Sequence, residues 1–499
     1  MTNVDSSPTP LLNALRTAAK REHAAFYAPG HKQGRGIDNN IQDLLGKQVF
    51  RSDLPELPEL DNLFAPSGAI AAAQDLAAAT FGATHTWFLV NGSSCGIIAA
   101  ILATCGMGEK IILPRNIHQS AIAGLVLSGA IPIFIHPVYD PQEGLVYNVT
   151  PEAVGHTLRQ HPDAKAVMML HPTYQGICSD LRAIAEITHS YDLPLLVDEA
   201  HGAHFAFHPS LPPAALSVGA DLTVQSTHKT LSSLTQSSML HLQGNKIDRH
   251  KISKALQLVE STSPSYLLLA SLDATRQQMA ERGYRLLERT MAIANEAQEK
   301  IEGISGLSVL TPQIQPGCEY IDPTRLTVNV SQLGITGFAA DEMLHEELGV
   351  TCELPLLEHL TFIISLGNTT EDIQKLIQSA ESLVQLSVNT DKQDKKHQQS
   401  TPINRPRSTK RNWSTVDANR GGVSPREAYF AATEATPINL AGDRLCAELI
   451  CPYPPGIPLL MPGEVITPEI IECLKQTVAA GGTITGCNDP TFQTIETLK

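Results

Sequence analysis

The chain of 499 residues has no pair of cysteines at C-x-x-C spacing, although nine cysteines are scattered along it. That pattern argues against a disulfide frame or a zinc site and for reduced, mostly buried thiols in a cytosolic protein. No apolar run approaches the roughly 20 residues that span a bilayer, and the opening stretch "MTNVDSSPTPLLNALRTAAKREHAAF" lacks the apolar core of a signal peptide. Positive charge is in deficit. Against 51 Asp and Glu stand 36 Lys and Arg, and the formal net charge of −15 argues against a nucleic-acid surface while suiting cationic substrates. The expectation is a soluble, cytoplasmic protein with neither nucleic acid nor membrane as partner. Its 42% hydrophobic content is ample for more than one packed domain.

From about Gly68 to Leu240, helical patterns alternate with short apolar runs: "TWFLV" (86–90), "KIILP" (110–114), "IPIFI" (131–135), "AVMML" (166–170), "PLLVD" (194–198) and "LTVQS" (222–226). Buried apolar strands separated by helices predict a mainly parallel α/β sheet, whose ligands lie outside the carboxyl ends of the strands. Polar signals fall at those ends: Asn91–Ser94, His118, Asp198–His201 and Lys229. Long helical patterns follow Ser265, then strand-like runs near 307–310, 325–330 and 361–366, which predict a smaller α/β region. Composition turns polar and basic from Asn389 to Ser424, as in a linker or surface insertion. The predicted division is thus an N-terminal segment over 1–65, a large domain over 66–265, a small region over 266–388, the linker over 389–424 and a C-terminal domain over 425–499.

The stretch "QSTHKTLSSLTQSSM" (225–239) sets one lysine, Lys229, among hydroxyls with no acid in the window. Its apolar residues predict half-burial, which disfavours an ammonium ion and eases access to the neutral amine that Schiff-base chemistry uses. Asn91-Gly92-Ser93-Ser94-Cys95-Gly96 joins a strand to a helix. Amide groups at a helix start and two hydroxyls can cradle a phosphate, while the same pattern also makes a simple capped turn. It is neither a G-x-G-x-x-G nor a Walker motif. Asp198 ends a strand, where a carboxylate can pair with a protonated ring nitrogen or cap a helix. His201 and His204 have metal-like spacing but no clear third ligand, so no metal is expected. Asp198 and Lys229 are separated by enough chain for one helix and one strand, which sets both on the same sheet edge. His118, directly after a strand, could stack on a planar ring or cap a helix. Ser226 and His228 could add donors to a phosphate. Together these features describe a pyridoxal 5'-phosphate site.

The motifs "VDEAHGAHF", "QSTHKTLSSLTQSSM", "APGHKQG", "NGSSCG", "PRNIHQS" and the C-terminal "AELICPYPPGIPLLMPGE" resemble the bacterial ornithine/lysine/arginine decarboxylase family over roughly residues 8–380 and 425–490. The resemblance implies a fold-type I pyridoxal phosphate enzyme whose large domain holds a mainly parallel, seven-stranded-type sheet, with smaller α/β C-terminal domains. It implies that Lys229 carries the cofactor, that Asp198 partners the pyridine nitrogen and that His118 stacks on the ring. His201 lies on the cofactor face, and Gly92, Ser93, Ser94, Ser226 and His228 lie near the phosphate. Glu448 is similar to a position near the substrate entrance, with Asp61 and Glu59 as ordinary surface acids. The expected activity is decarboxylation of a basic L-amino acid, arginine ahead of lysine and ornithine, in polyamine synthesis. The chain opens close to the catalytic motifs, without the wing domain of longer members, so a homodimer or small multiple of dimers is expected. Two rivals remain. An aminotransferase of the same fold could use Arg325 in "DPTRLTVNV" to grip an α-carboxylate, and a non-catalytic regulator would bind the cofactor without turnover. The C-terminal motif favours the decarboxylase.

Overall fold

The computed structural model describes residues 8–311, 313–397, 422–453 and 456–499, with backbone alone over 388–397. The chain forms two compact units, Met1–Thr104 with Leu193–Leu287 and Cys105–Asp192 with Glu288–Lys499.

The seven strands of the main sheet are β1 His85–Leu89, β2 Lys110–Pro114, β3 Ile131–Ile135, β4 Ala166–Leu170, β5 Leu195–Asp198, β6 Leu222–Gln225 and β7 Ser238–Leu242. Their order is β1-β7-β6-β5-β4-β2-β3. β7 runs antiparallel to both neighbours, whereas β5 with β6, β4 with β2, and β2 with β3 are parallel. The fold is therefore α/β with a mainly parallel sheet. All six apolar runs form strands within a residue or so of their expected limits. β7 is the addition: it is buried throughout yet carries Ser238 and His241 among its five residues, so it does not read as an apolar run. His241 is accommodated because Thr86, its partner in register on β1, lies 2.8 Å away by side chain.

In the first unit, helix Gly92–Thr104 is apolar on nearly every side after its first turn and packs on β1 and β6. Gly96 makes the contact possible, since a Cβ there would fall 2.7 Å from Leu89 and 2.8 Å from Val224. In the second unit, β8 Ser308–Val309, β9 Arg325–Asn329, β10 Leu354–Pro355 and β11 His359–Ile363 make an antiparallel sheet of order β8-β9-β11-β10. Its core includes Leu307, Leu326, Leu344, Leu360 and Leu376; full burial of each such side chain contributes about 1.5–3 kcal/mol. The C-terminal module has its own core around Ile450, Leu460, Ile466, Leu474 and Ile495.

Helix Thr370–His397 continues through the first part of the stretch assigned to a linker, and residues 398–421 lie outside the described residues. Helix Pro425–Phe430 then begins with a full capping box between Ser424 and Glu427. Among the described residues no helix is long and apolar enough to cross a membrane.

Candidate active site

In the first unit, two loops leave the adjacent parallel strands β5 and β6. Asp198 is the last residue of β5, 3% exposed, and its carboxylate accepts the Ala200 N–H at 3.2 Å. Burial pushes its pKa up, against the charge of Lys229 and the Ala200 bond, which pull it down. Lys229 stands on the single turn Thr227–Thr230 beyond β6, half-buried as its setting predicts. Its Nζ lies 3.0 Å from His201 Nε2, three residues after Asp198. The aspartate loop and the lysine loop therefore converge, as their spacing along the chain implied.

The start of helix Gly92–Thr104 belongs to the same unit. Gly92 has φ of +75°, a conformation open to glycine, and its N–H donates to Gln236 O at 2.8 Å. Ser226 Oγ donates to Ser93 Oγ at 2.7 Å, so hydroxyls from both segments meet at the helix start; Ser94 is exposed. His228 differs from its expected part. Its Nδ1 lies 2.8 Å from the Ser237 carbonyl and must carry the proton there, while burial lowers its pKa. A neutral His228 thus presents an accepting Nε2, and donates to a phosphate only when protonated.

Sequence reasoning passed over the residues beneath these loops. Glu199 is fully buried; it accepts Ala215 N–H at 2.8 Å and Gln225 Nε2–H at 2.7 Å, and burial pushes its pKa up to about 8. Gln225 Oε1 lies 3.1 Å from His241 Nε2. Their only signal was position: each sits next to a motif residue, pointing the other way from the strand.

In the second unit, His118 is the N-cap of helix Gln119–Ser128, its Nδ1 accepting the Ser120 N–H at 3.2 Å. Gln119 N–H donates to Gly456 O at 3.3 Å, and a side chain at Gly456 would begin 3.5 Å from His118 Nε2. Arg115, three residues earlier, is buried in a two-bond pair with Glu464 of the C-terminal module.

Other acids are engaged structurally. Glu448 is buried in the C-terminal module and accepts N–H from Asn488 at 2.6 Å and Glu496 at 3.0 Å, which accounts for its burial without a substrate. Asp61 is not a simple surface acid: its carboxylate gathers N–H groups of Ser67, Gly68, Ile70 and Ala71 at the start of helix Ala69–Phe81. Glu59 pairs with Arg21. Arg325 is buried 3.7 Å from Asp322. His204 packs against Phe205, and no group of three or more His, Cys, Asp or Glu that could hold a metal occurs among the described residues.

Residues 9–372 match the major domain of Orn/Lys/Arg decarboxylase, and residues 416–488 match its C-terminal domain. The chain belongs to the Orn/Lys/Arg decarboxylase family. An arginine decarboxylase of Bacillus subtilis is 39% identical over 493 residues, 98% of each chain. That of Bacillus anthracis is 37% identical over 499 residues, 98% of this chain and 97% of its own. Lysine decarboxylase A from Pseudomonas aeruginosa superposes with a TM-score of 0.82 at 23% identity, over 98% of this chain and 80% of that one, a likeness of fold.

The family is pyridoxal phosphate-dependent, and the donor set here fits that group. A helix start with two meeting hydroxyls suits a phosphate dianion. The carboxylate of Asp198, 3% exposed, suits a cationic ring nitrogen, since a buried charge is tolerated only with a partner.

Proposed function

We propose that this decarboxylase-family chain removes CO₂ from a basic L-amino acid, arginine first, with pyridoxal phosphate held on Lys229. The observation that carries the reading is Lys229 Nζ at 3.0 Å from His201 Nε2, with Asp198 buried at the head of the same loop.

Lys229 would hold the cofactor through Nζ, and His201 would hold or receive the proton at that atom. Asp198 would hold the ring nitrogen protonated, because separating the two would strand a carboxylate away from water. Ser93, Ser94, Ser226 and the amide groups at Gly92 would take the phosphate. Pyridoxal phosphate, when bound, supplies the ring that accepts the electron pair left as CO₂ departs. The arginine preference rests on the 37–39% identity to arginine decarboxylases. A cytoplasmic homodimer in polyamine synthesis completes the proposal. Glu448 is not carried into it as a substrate contact, because both its oxygens serve the module that holds it.

The test is incubation of the purified enzyme with arginine, lysine and ornithine in turn, measuring CO₂ and amine without any keto acid. Release of amine and CO₂, greatest with arginine, is expected. Product that appears only when a keto acid is added would replace the decarboxylase with an aminotransferase.

A further inference from the structure

The two loops that converge on Lys229 are tied underneath by a polar chain that takes no part in the chemistry above. Glu199 Oε2 accepts from Gln225 Nε2 at 2.7 Å, and Glu199 Oε1 from Ala215 N at 2.8 Å. Gln225 Oε1 is 3.1 Å from His241 Nε2, and His241 Nδ1 is 2.8 Å from Thr86 Oγ1. Glu199, Gln225, His241 and Thr86 are all 2% exposed or less. Gly202 closes over Glu199, since a Cβ there would fall 2.8 Å from its Cγ.

Each link has a direction. Glu199 accepts an N–H on each of its oxygens, from Ala215 and from Gln225, so Gln225 turns its amide nitrogen to Glu199 and its oxygen to His241. His241 must then carry its proton on Nε2 and accept from the Thr86 hydroxyl on Nδ1. Burial lowers the His241 pKa to about 3, which keeps the ring neutral as the chain requires. Glu199 directly follows Asp198, and Gln225 lies four residues before Lys229.

We infer that Glu199 is a positioning residue which, through Gln225, sets the separation of the Asp198 loop from the Lys229 loop. The inference rests on the reading of Lys229 and Asp198 as the cofactor-holding pair. Backbone bonding at the end of β5 is not enough alone. Glu199 N–H donates to Val224 O at 2.9 Å, whereas the side-chain link reaches one residue further, to Gln225, from which the lysine turn departs.

The test exchanges the two ends of the link. Gln225→Glu alone sets two carboxylates against each other in a buried site. Glu199→Gln with Gln225→Glu restores every donor and acceptor: Gln at 199 accepts from Ala215 and donates to Glu at 225, which accepts from His241. The primary readout is the pH midpoint of the visible absorbance of cofactor joined to Lys229, with kcat, KM and unfolding temperature measured alongside.

Gln225→Glu is expected to move the absorbance midpoint by about one pH unit or more and to lower kcat about tenfold with KM little changed. The double exchange is expected to bring both back to within about threefold of wild type. An unmoved midpoint in Gln225→Glu with only a lower unfolding temperature would overturn the inference, as would an exchange that restores stability but not the midpoint. Should Gln225→Glu fail to fold, Gln225→Leu removes the link without adding charge, and the same two readouts decide. Borohydride reduction of the wild-type enzyme checks the underlying reading separately. An adduct away from Lys229 removes that reading, whereas an adduct on Lys229 with an unmoved midpoint removes only the role of Glu199.

Discussion

Arg115 and Glu464, 349 positions apart, meet in two parallel bonds, Nε to Oε1 at 3.0 Å and Nη2 to Oε2 at 2.9 Å. The guanidinium side chain is fully enclosed and the carboxylate side chain 4% exposed. Arg115 also donates to Pro458 O at 2.7 Å and Leu459 O at 3.1 Å, so the guanidinium of a residue just before His118 makes four hydrogen bonds to the C-terminal module. Burial raises the Glu464 pKa, and the Arg115 charge opposes it. The module thereby completes the "PRNIH" loop of its own unit.

Removing one partner leaves the other charge buried and unpaired. Glu464→Ala is therefore expected to cost about 3–5 kcal/mol, while Arg115→Met with Glu464→Leu recovers most of that loss. Urea unfolding of the three proteins checks it. A Glu464→Ala loss below about 1 kcal/mol would mean that the pair is open to water.

Asp198→Asn keeps size and removes charge. With a neutral amide facing the ring nitrogen, kcat is expected to fall by about 10²–10³ with a much smaller change in KM. Steady-state kinetics on arginine, at saturating cofactor, provide the measurement. Equal loss in kcat/KM through KM alone would show that Asp198 serves only substrate binding.

Much of this site was legible because parallel strands deliver their ends to one edge. Asp198 and Lys229 follow β5 and β6, whose register sets Asp198 against Val224. What was hidden is polar matter compensated at long range. β7 escaped recognition since His241 is matched by Thr86, 155 positions away, rather than by a neighbour. Glu199 and Glu464 look like ordinary acids until the fold supplies Gln225 and Arg115. The family position of Glu448 was recognisable, but its bonds to Asn488 and Glu496 depend on the tertiary turn. The polar composition from Asn389 suggested a linker because helix Thr370–His397 loses its apolar pattern before its backbone ends.

Glu260 yields a prediction of sign. It is 8% exposed, and burial raises its pKa from 4.5 to about 7 against the bonds from Val90 and Asn91. Between those two values the folded protein holds a proton that the unfolded chain has released. Stability from this group is therefore full below about pH 4.5 and declines as pH rises to about 7, by up to roughly 3 kcal/mol. Glu260→Gln keeps an acceptor for Val90 N–H and cannot ionise. The stability difference, mutant minus wild type, should increase from pH 5 to pH 8 in parallel denaturation series. A constant difference would show that Glu260 titrates normally.

The hydroxyls and the imidazole at the helix start should separate by pH. Ser226 is fully buried and donates to Ser93 Oγ, which turns the Ser93 hydroxyl proton toward a phosphate oxygen at any pH, so Ser226→Ala is expected to weaken cofactor binding about tenfold throughout. His228 behaves otherwise, because its Nδ1 proton is committed to Ser237 O and burial keeps the ring neutral. His228→Asn retains a donor close to the Nδ1 position and removes the titrating ring. At pH 8 the mutant should bind cofactor within about threefold of wild type, whereas near pH 6 the negative phosphate opposes the effect of burial and favours the imidazolium, so His228 gains an Nε2 donor and wild type should bind more tightly. Fluorescence titration of the apoenzyme with pyridoxal phosphate at both values measures this. Equal loss in His228→Asn at pH 8 and pH 6 would mean that the imidazole donates while neutral, and that the bond to Ser237 does not hold its tautomer.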